Sequence, residues 1–219
     1  MVISVAHVKG GAGKTTLATN LAIMAAIDGH RVLLIDADPQ GTATKFGALR
    51  VTLGLQPAFD FKAVSGSEAV VAAVSAAYGE YDHIFIDAGG RDNYSLRAAL
   101  LASHVLVTPT QCSQFDCWEL DTVASALRDV RKTNPSLRCL LVINNADTNP
   151  RIRLADETVD FAKDYPDFQV LDTRIGARIA FRYAASEGMS VCELPLKQRS
   201  QKAVDEITQL YKEVLHGTA

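Results

Sequence analysis

The 219-residue chain predicts a doubly wound α/β fold: a mostly parallel sheet with helices on both faces. Three observations predict it. Short β-branched runs alternate with helical patterns along the whole chain, and most of these runs are continuously apolar, as in Val32-Leu33-Leu34-Ile35 and Leu140-Leu141-Val142-Ile143. No repeat, low-complexity tract or linker breaks the alternation. A strand without polar alternation is covered on both faces, as parallel strands are. With 48% hydrophobic and 21% charged residues, the chain can bury one substantial core, so residues 1–219 read as a single domain.

The elements follow in order. Strands are expected at Val2–Val8, Arg31–Asp36, His83–Asp87, His104–Pro109, Arg138–Asn144 and Phe168–Leu171. Helices are expected near Thr15–Ile27, Ser67–Ala77, Tyr94–Leu101, Phe115–Lys132, Arg153–Asp164, Ala177–Glu187 and Gln198–His216. In the first helix Leu17, Leu21 and Met24 form a stripe at helical spacing that ends in Asp28. The segment Arg50–Ser65, with Gly54 and Pro57, is the least regular and reads as a loop excursion.

Composition narrows the functional classes. The 22 basic and 25 acidic residues leave a net charge of −3, so a polyanion partner would need a local patch. No apolar stretch approaches the ~18–20 residues that span a bilayer. The segment Met1–Ala6 carries no basic leader, which reads against a signal peptide. Cys112, Cys117, Cys139 and Cys192 lack CxxC or zinc-finger spacing and read as inert thiols of a reduced, cytoplasmic protein.

The chemistry concentrates after the first strand. Val8-Lys9-Gly10-Gly11-Ala12-Gly13-Lys14-Thr15-Thr16 follows an apolar run and opens a helix, the context in which a glycine-rich match acquires meaning. Glycines let successive backbone N–H groups turn inward, an anion nest at the positive end of a helix. Lys14 is placed to reach outer phosphates, and the Thr15 hydroxyl to hold Mg²⁺. The usual G-x-x-x-x-G-K-[ST] spacing is missed by one position, because Val8 stands where its first glycine belongs. An additional lysine, Lys9, leads the loop instead.

Lys9-Gly10-Gly11-Ala12-Gly13-Lys14-Thr15-Thr16 resembles the deviant Walker A box of the ParA/MinD superfamily of ATPases, which have the P-loop NTPase type of fold. The resemblance implies ATP and Mg²⁺ as cofactors, weak partner-stimulated ATP hydrolysis, and an ATP-bound homodimer in which Lys9 acts across the interface. A second cation stabilises charge on a transferring phosphoryl group only where two protomers meet. The whole box, Lys9 to Thr16, is then the nucleotide-binding loop.

The remaining site residues lie at strand ends, on the ligand side of an open parallel sheet. Asp36-Ala37-Asp38-Pro39-Gln40-Gly41 reads alone as a Pro-Gly turn with solvated aspartates, but it resembles the partition branch. By that resemblance Asp38 orients the attacking water, and Asp36 orders the magnesium shell. Asp87, ending the run Tyr81–Asp87, has Walker B character and would contact magnesium through water. Ala88-Gly89-Gly90-Arg91-Asp92 departs from the family's usual Thr-Pro-Pro. Two glycines still admit close backbone approach to a γ-phosphate, and Arg91 reads as a surface or Asp92-paired arginine, with a second phosphate contact as the alternative. Pro109–Asp116 resembles the family's P-x-x-P-S-x-x-D segment with Cys112 for proline; locally, Ser113 and Asp116 form a capping box. Asn144 is the candidate for reading an adenine edge, with a turn asparagine as the alternative.

The relatives' behaviour implies three further properties. Non-specific DNA binding by the ATP dimer would use the window Arg174–Lys202, where Arg174, Arg178, Arg182, Lys197, Arg199 and Lys202 face only Glu187 and Glu193. Arg174, Arg178 and Arg182 share one helix face if that helix starts early. No operator-reading helix is evident, so the chain resembles the small, ParF-like partition ATPases, with a ParB-like adaptor as partner and nucleoid association in the ATP state. A membrane role is not expected, since Asp205, Glu206 and Glu213 interrupt the polar face of the last helix. DNA segregation is therefore the leading expectation. A positioning ATPase with a protein cargo is the alternative, and an iron–sulfur or ligase-type relative, resting on Cys112 and Cys117, is a third.

Overall fold

Seven strands form one all-parallel sheet in the computed structural model, which describes residues 1–89, 93–149 and 151–217. The strands are β1 (Val2–Ala6), β2 (Val32–Asp36), β3 (Asp60–Ala63), β4 (His83–Ala88), β5 (Val105–Thr110), β6 (Arg138–Ala146) and β7 (Gln169–Gly176). Their order is β3-β2-β4-β1-β5-β6-β7. Strands β1, β2 and β5 are buried along their whole length, as strands covered on both faces are.

The helices are α1 (Lys14–Ile27), α2 (Thr42–Thr52), α3 (Ser67–Ala77), α4 (Asn93–Ala102), α5 (Gln114–Val130), α6 (Leu154–Ala162), α7 (Ile179–Ser186) and α8 (Gln201–His216). One core unites α1, α7 and α8 with one face of the sheet, through Leu17, Leu21, Phe85, Ile207 and Tyr211. The other unites α3, α4 and α5 with the opposite face, through Val70, Leu96, Ile86, Leu106 and Leu127. The last helix presents Ala203, Ile207, Leu210, Tyr211 and Val214 to the first core, and Val204 is buried beside them in sequence, so its apolar stripe packs within the domain. No helix among the described residues is long and apolar enough to cross a membrane.

Three sequence expectations need correction. Arg50–Ser65 is not a loop: its first residues close α2, and Asp60–Ala63 forms the edge strand β3, paired with Leu33–Asp36. The strand expected at Phe168–Leu171 extends to Gly176, so Arg174 sits on β7, Arg178 is the N-cap residue of α7, and only Arg182 lies inside that helix. The three arginines therefore do not share a helix face. The first strand stops at Ala6, because His7 and Val8 already belong to the loop.

Strand order positions the site. The chain leaves β1 toward β2 on one side and later returns to β5 on the other, so β1 is the switch point. In open α/β sheets the ligand crevice lies at the strand C-termini beside such a point. The glycine-rich loop, Asp36 and Asp87 all emerge there.

Candidate nucleotide-binding site

The loop is shaped by residues that only glycine suits. Gly11 and Gly13 adopt φ of +81° and +92°, the left-handed region where a Cβ is strained. A Cβ on Gly13 would also overlap the Asn144 amide. Gly13 caps the N-terminus of α1 and has no side chain to accept from an N–H group, so the donors of the first turn remain available to an anion. Hydrogen bonds from outside and within brace the loop. Gln111 Nε2 donates to Gly11 O (2.8 Å), Asn144 Nδ2 donates to Ala12 O (2.6 Å), and Lys9 N donates to His7 Nδ1 (3.0 Å).

Lys14 is 6% exposed, and its ammonium donates back to Lys9 O at 2.8 Å. Burial lowers its pKa, while Asp87 and Asp38 pull it back up. A buried ammonium curled onto its own loop is a cation set where anionic oxygens are wanted. Lys9 is half-buried at the front of the loop.

Asp36 and Asp87 lie side by side in register on β2 and β4, yet do different work. Asp36 accepts from Asp38 N (3.2 Å) and Thr44 N (2.7 Å), which fixes the turn and caps α2 from a distance. Asp87 accepts from Thr15 Oγ1 at 2.6 Å through Oδ2. Its Oδ1 is buried with no hydrogen-bond partner. Burial pushes the Asp87 carboxyl up to about 7, with the Thr15 hydroxyl opposing and Asp36 adding to the rise. Asp38 is half-buried and its Oδ1 accepts from Gln40 N (2.9 Å). A Cβ on Gly89 would lie 3.2 Å from Asp38 Cα and Cγ, so that glycine admits Asp38 to the site. Gly90, Arg91 and Asp92 lie outside the described residues, as do the side chains of Asp116 and Cys117, and with them the capping box. Cys139 and Cys192 are held as thiols by burial, Cys139 up to about 11.

Two hollows share Gly11, Gly13 and Thr16. One, about 410 Å³, is bounded by Lys14, Thr15, Asp38 and Gln40. The other, about 420 Å³, is bounded by Gln111, Asn144, Gly176, Arg178, Ile179 and Arg182. The first has phosphate chemistry and the second room for a nucleoside. A larger hollow of about 670 Å³, at the far end of α1 beside Asp28 and Tyr211, lacks a nest of backbone donors and is not the nucleotide's place. Magnesium fits the Thr15 edge of the first: the Thr15 hydroxyl lines it and the Asp87 carboxylate, with one oxygen unpartnered, stands directly behind. Mg²⁺ takes such hard oxygen donors together with phosphates and water.

The basic window divides. Arg178 is partly buried and tied to Glu206 (2.5 Å); Arg174 pairs with Asp156 (2.7 Å) but is exposed, as are Arg182, Lys197, Arg199 and Lys202. Sequence reading missed Gln111, which braces the loop from a segment noted for other reasons. It also missed Glu206, which accepts from Gly176 N and Arg178 behind the second hollow and has no local signal.

The relatives agree with this geometry. Residues 3–191 match the model of the CobQ/CobB/MinD/ParA nucleotide binding domain. The chain is 31% identical over 216 residues to the maintenance of carboxysome distribution protein A of Halothiobacillus neapolitanus, covering 97% of this chain and 95% of that one. A putative plasmid partition protein of Borrelia burgdorferi B31, solved with AMPPNP, superposes with TM-score 0.73 at 22% identity over 97% of this chain and 98% of that one. The Pyrococcus horikoshii septum site-determining protein MinD, solved with Mg-ADP, gives 0.72 at 19% over 99% and 96%. ATP and Mg²⁺, the cofactors expected from the loop, are of the kind these two structures hold. From matched model, relative and loop together, the chain belongs to the CobQ/CobB/MinD/ParA family of nucleotide-binding domains.

Proposed function

We propose that this protein is a Mg²⁺- and ATP-dependent switch ATPase that dimerises on ATP, binds DNA without sequence preference as a dimer, and uses slow, adaptor-stimulated hydrolysis to place a cargo. The buried Lys14 ammonium inside a glycine nest carries the reading. It serves little purpose until a polyphosphate accepts its hydrogen bonds.

The residues divide the work. The backbone N–H groups of Gly10 to Gly13, with Lys14 and Thr16, bind the phosphates. Thr15 and Asp87 hold magnesium, Asp87 through its free oxygen, with Asp36 supporting the water shell by its remaining lone pairs. Bound Mg²⁺ supplies charge neutralisation between the outer phosphates. Asp38, at the mouth of the same hollow, orients the attacking water and takes its proton. Lys9 reaches the partner protomer's phosphates, so the site is complete only in the dimer. Asn144, with one amide hydrogen committed to Ala12 O, keeps its other polar atoms for the base. Arg182, Lys197, Arg199 and Lys202 contribute the exposed charge for DNA, with Arg174 beside them.

Sizing with Mg-ATP, with and without DNA, tests this. The wild type should pass from monomer to dimer with ATP and then co-sediment with DNA. Lys14→Ala should lose nucleotide binding. Lys9→Ala should bind nucleotide yet remain a monomer, and Asp38→Ala should accumulate as the ATP dimer. A wild type that binds Mg-ATP as a permanent monomer would sink the proposal.

One observation favours a protein assembly over DNA as cargo: the 31% identity across nearly the full length of a carboxysome distribution protein. Capture of a protein adaptor that survives nuclease treatment would support it. In either case the ATP dimer would associate with the nucleoid in the cytoplasm and need a ParB-like or equivalent adaptor.

A further inference from the structure

Glu206 stands on α8, remote in sequence from the glycine loop, yet its carboxylate grips the wall of the nucleoside-side hollow. Oε2 accepts from Gly176 N at 3.1 Å and from Arg178 Nε at 3.1 Å. Oε1 accepts from Arg178 Nε at 3.1 Å and Nη2 at 2.5 Å. The turn so held, Gly176–Arg178, joins β7 to α7, and with Ile179 it faces Gly13 and Asn144 across the hollow.

The turn is fixed from three directions. Ala177 N donates to Ala146 O on β6 at 2.8 Å. A Cβ on Gly176 would lie 3.1 Å from both the Arg178 guanidinium and Thr148 Cγ2, so the backbone passes between them with no slack. Glu206 supplies the third hold. It is also the one that reaches both ends of the turn, a backbone N–H and a side chain.

Arg178 and Glu206 are each 19% exposed. An ion pair so far out of water gives little net stability, because desolvation offsets the attraction. What it does give is geometry: a bidentate fork fixes both distance and orientation. We infer that Glu206 is a positioning residue of the nucleotide site, setting the gap between the Gly176–Ile179 wall and the glycine loop to fit a base and ribose. The inference rests on the nucleotide reading above. Glu206 itself touches no ligand. Its influence should fall on the nucleoside half and spare the phosphates, which the loop and Lys14 hold independently.

Titration calorimetry of the full chain with Mg²⁺ and either ATP or inorganic tripolyphosphate separates the halves. Glu206→Gln keeps the size and one acceptor but loses the fork. It should bind ATP at least tenfold more weakly while tripolyphosphate stays within twofold of wild type. The double variant Arg178→Gln with Glu206→Gln leaves no unpaired buried charge, and should show the same split with a melting temperature near wild type. Unchanged ATP affinity in both variants, or an equal loss for tripolyphosphate, overturns the assignment to Glu206 alone. A wild type that binds neither ligand removes the nucleotide reading as well.

Discussion

Two regions among the described residues treat buried charge in opposite ways. Beside the loop, Lys14 and Asp87 are buried with incomplete partners: Lys14 donates to its own loop carbonyl, and one Asp87 oxygen has none. On the flank where α2 meets the connection between α7 and α8, Arg50 is equally buried but saturated. It bridges both Glu193 oxygens (2.7 and 2.9 Å) and donates to Gly188 O and Pro57 O. The flank uses charge to fix a structure. The loop holds charge in readiness for a ligand, at a cost in local stability.

The comparison is most exposed to Arg50→Ala. Removing one member of a buried, fully hydrogen-bonded pair leaves the other stranded, with a typical loss of about 3–5 kcal/mol. Here Glu193 would keep only Ser190 N as a donor, and two carbonyls would lose theirs. Urea denaturation should therefore show a large drop in midpoint. A change below about 1 kcal/mol would mean that the flank is not the anchor described.

The loop region should respond to pH in the opposite sense to an ordinary salt-bridged acid. Asp87 titrates near 7 in the fold against 3.8 unfolded, so the folded state binds more protons between those values. Ligand-free protein should gain stability as pH falls from 8 to 5, by roughly 2 kcal/mol from this group. It loses that contribution as pH rises through 7. Asp87→Asn should remove the slope while leaving the rest of the profile. If denaturation midpoints of wild type and variant run parallel from pH 5 to 8, Asp87 is not the strained group of the site.

Sequence legibility followed the same divide. The central strands and the loop were readable because each obeys a local rule: an unbroken apolar run, or glycine-rich spacing between strand and helix. The flank was not. Helix α2 buries Phe46, Gly47 and Arg50, and two of those are residues that pattern reading counts against a core. Gly47 is there because the Phe61 ring lies where a Cβ would be, 2.6 Å away. Arg50 is there because Glu193, far along the chain, neutralises it. Strand β3 is a short, half-exposed edge, without the apolar run that marked its neighbours. Asp36 shows the limit within the site itself. Its position at a strand end was legible, but its two bonds to Asp38 N and Thr44 N depend on how the following turn folds back.

Arg174 lies between the two classes and sharpens the boundary. It pairs with Asp156 at 2.7 Å, but the side chains are 40% and 57% exposed, where water screens the attraction and most pairs are worth under about 1 kcal/mol. Arg174→Ala should therefore barely move the denaturation midpoint, in contrast to Arg50→Ala. Its effect should appear on DNA instead. A guanidinium so weakly held can exchange its carboxylate for a phosphate. Losing one phosphate contact should reduce the slope of log affinity against log salt by about 1 for the ATP-bound protein. An unchanged slope would take Arg174 off the proposed DNA surface and leave that role to the exposed cations Arg182, Lys197, Arg199 and Lys202. A stability loss above about 2 kcal/mol would place it with the saturated flank.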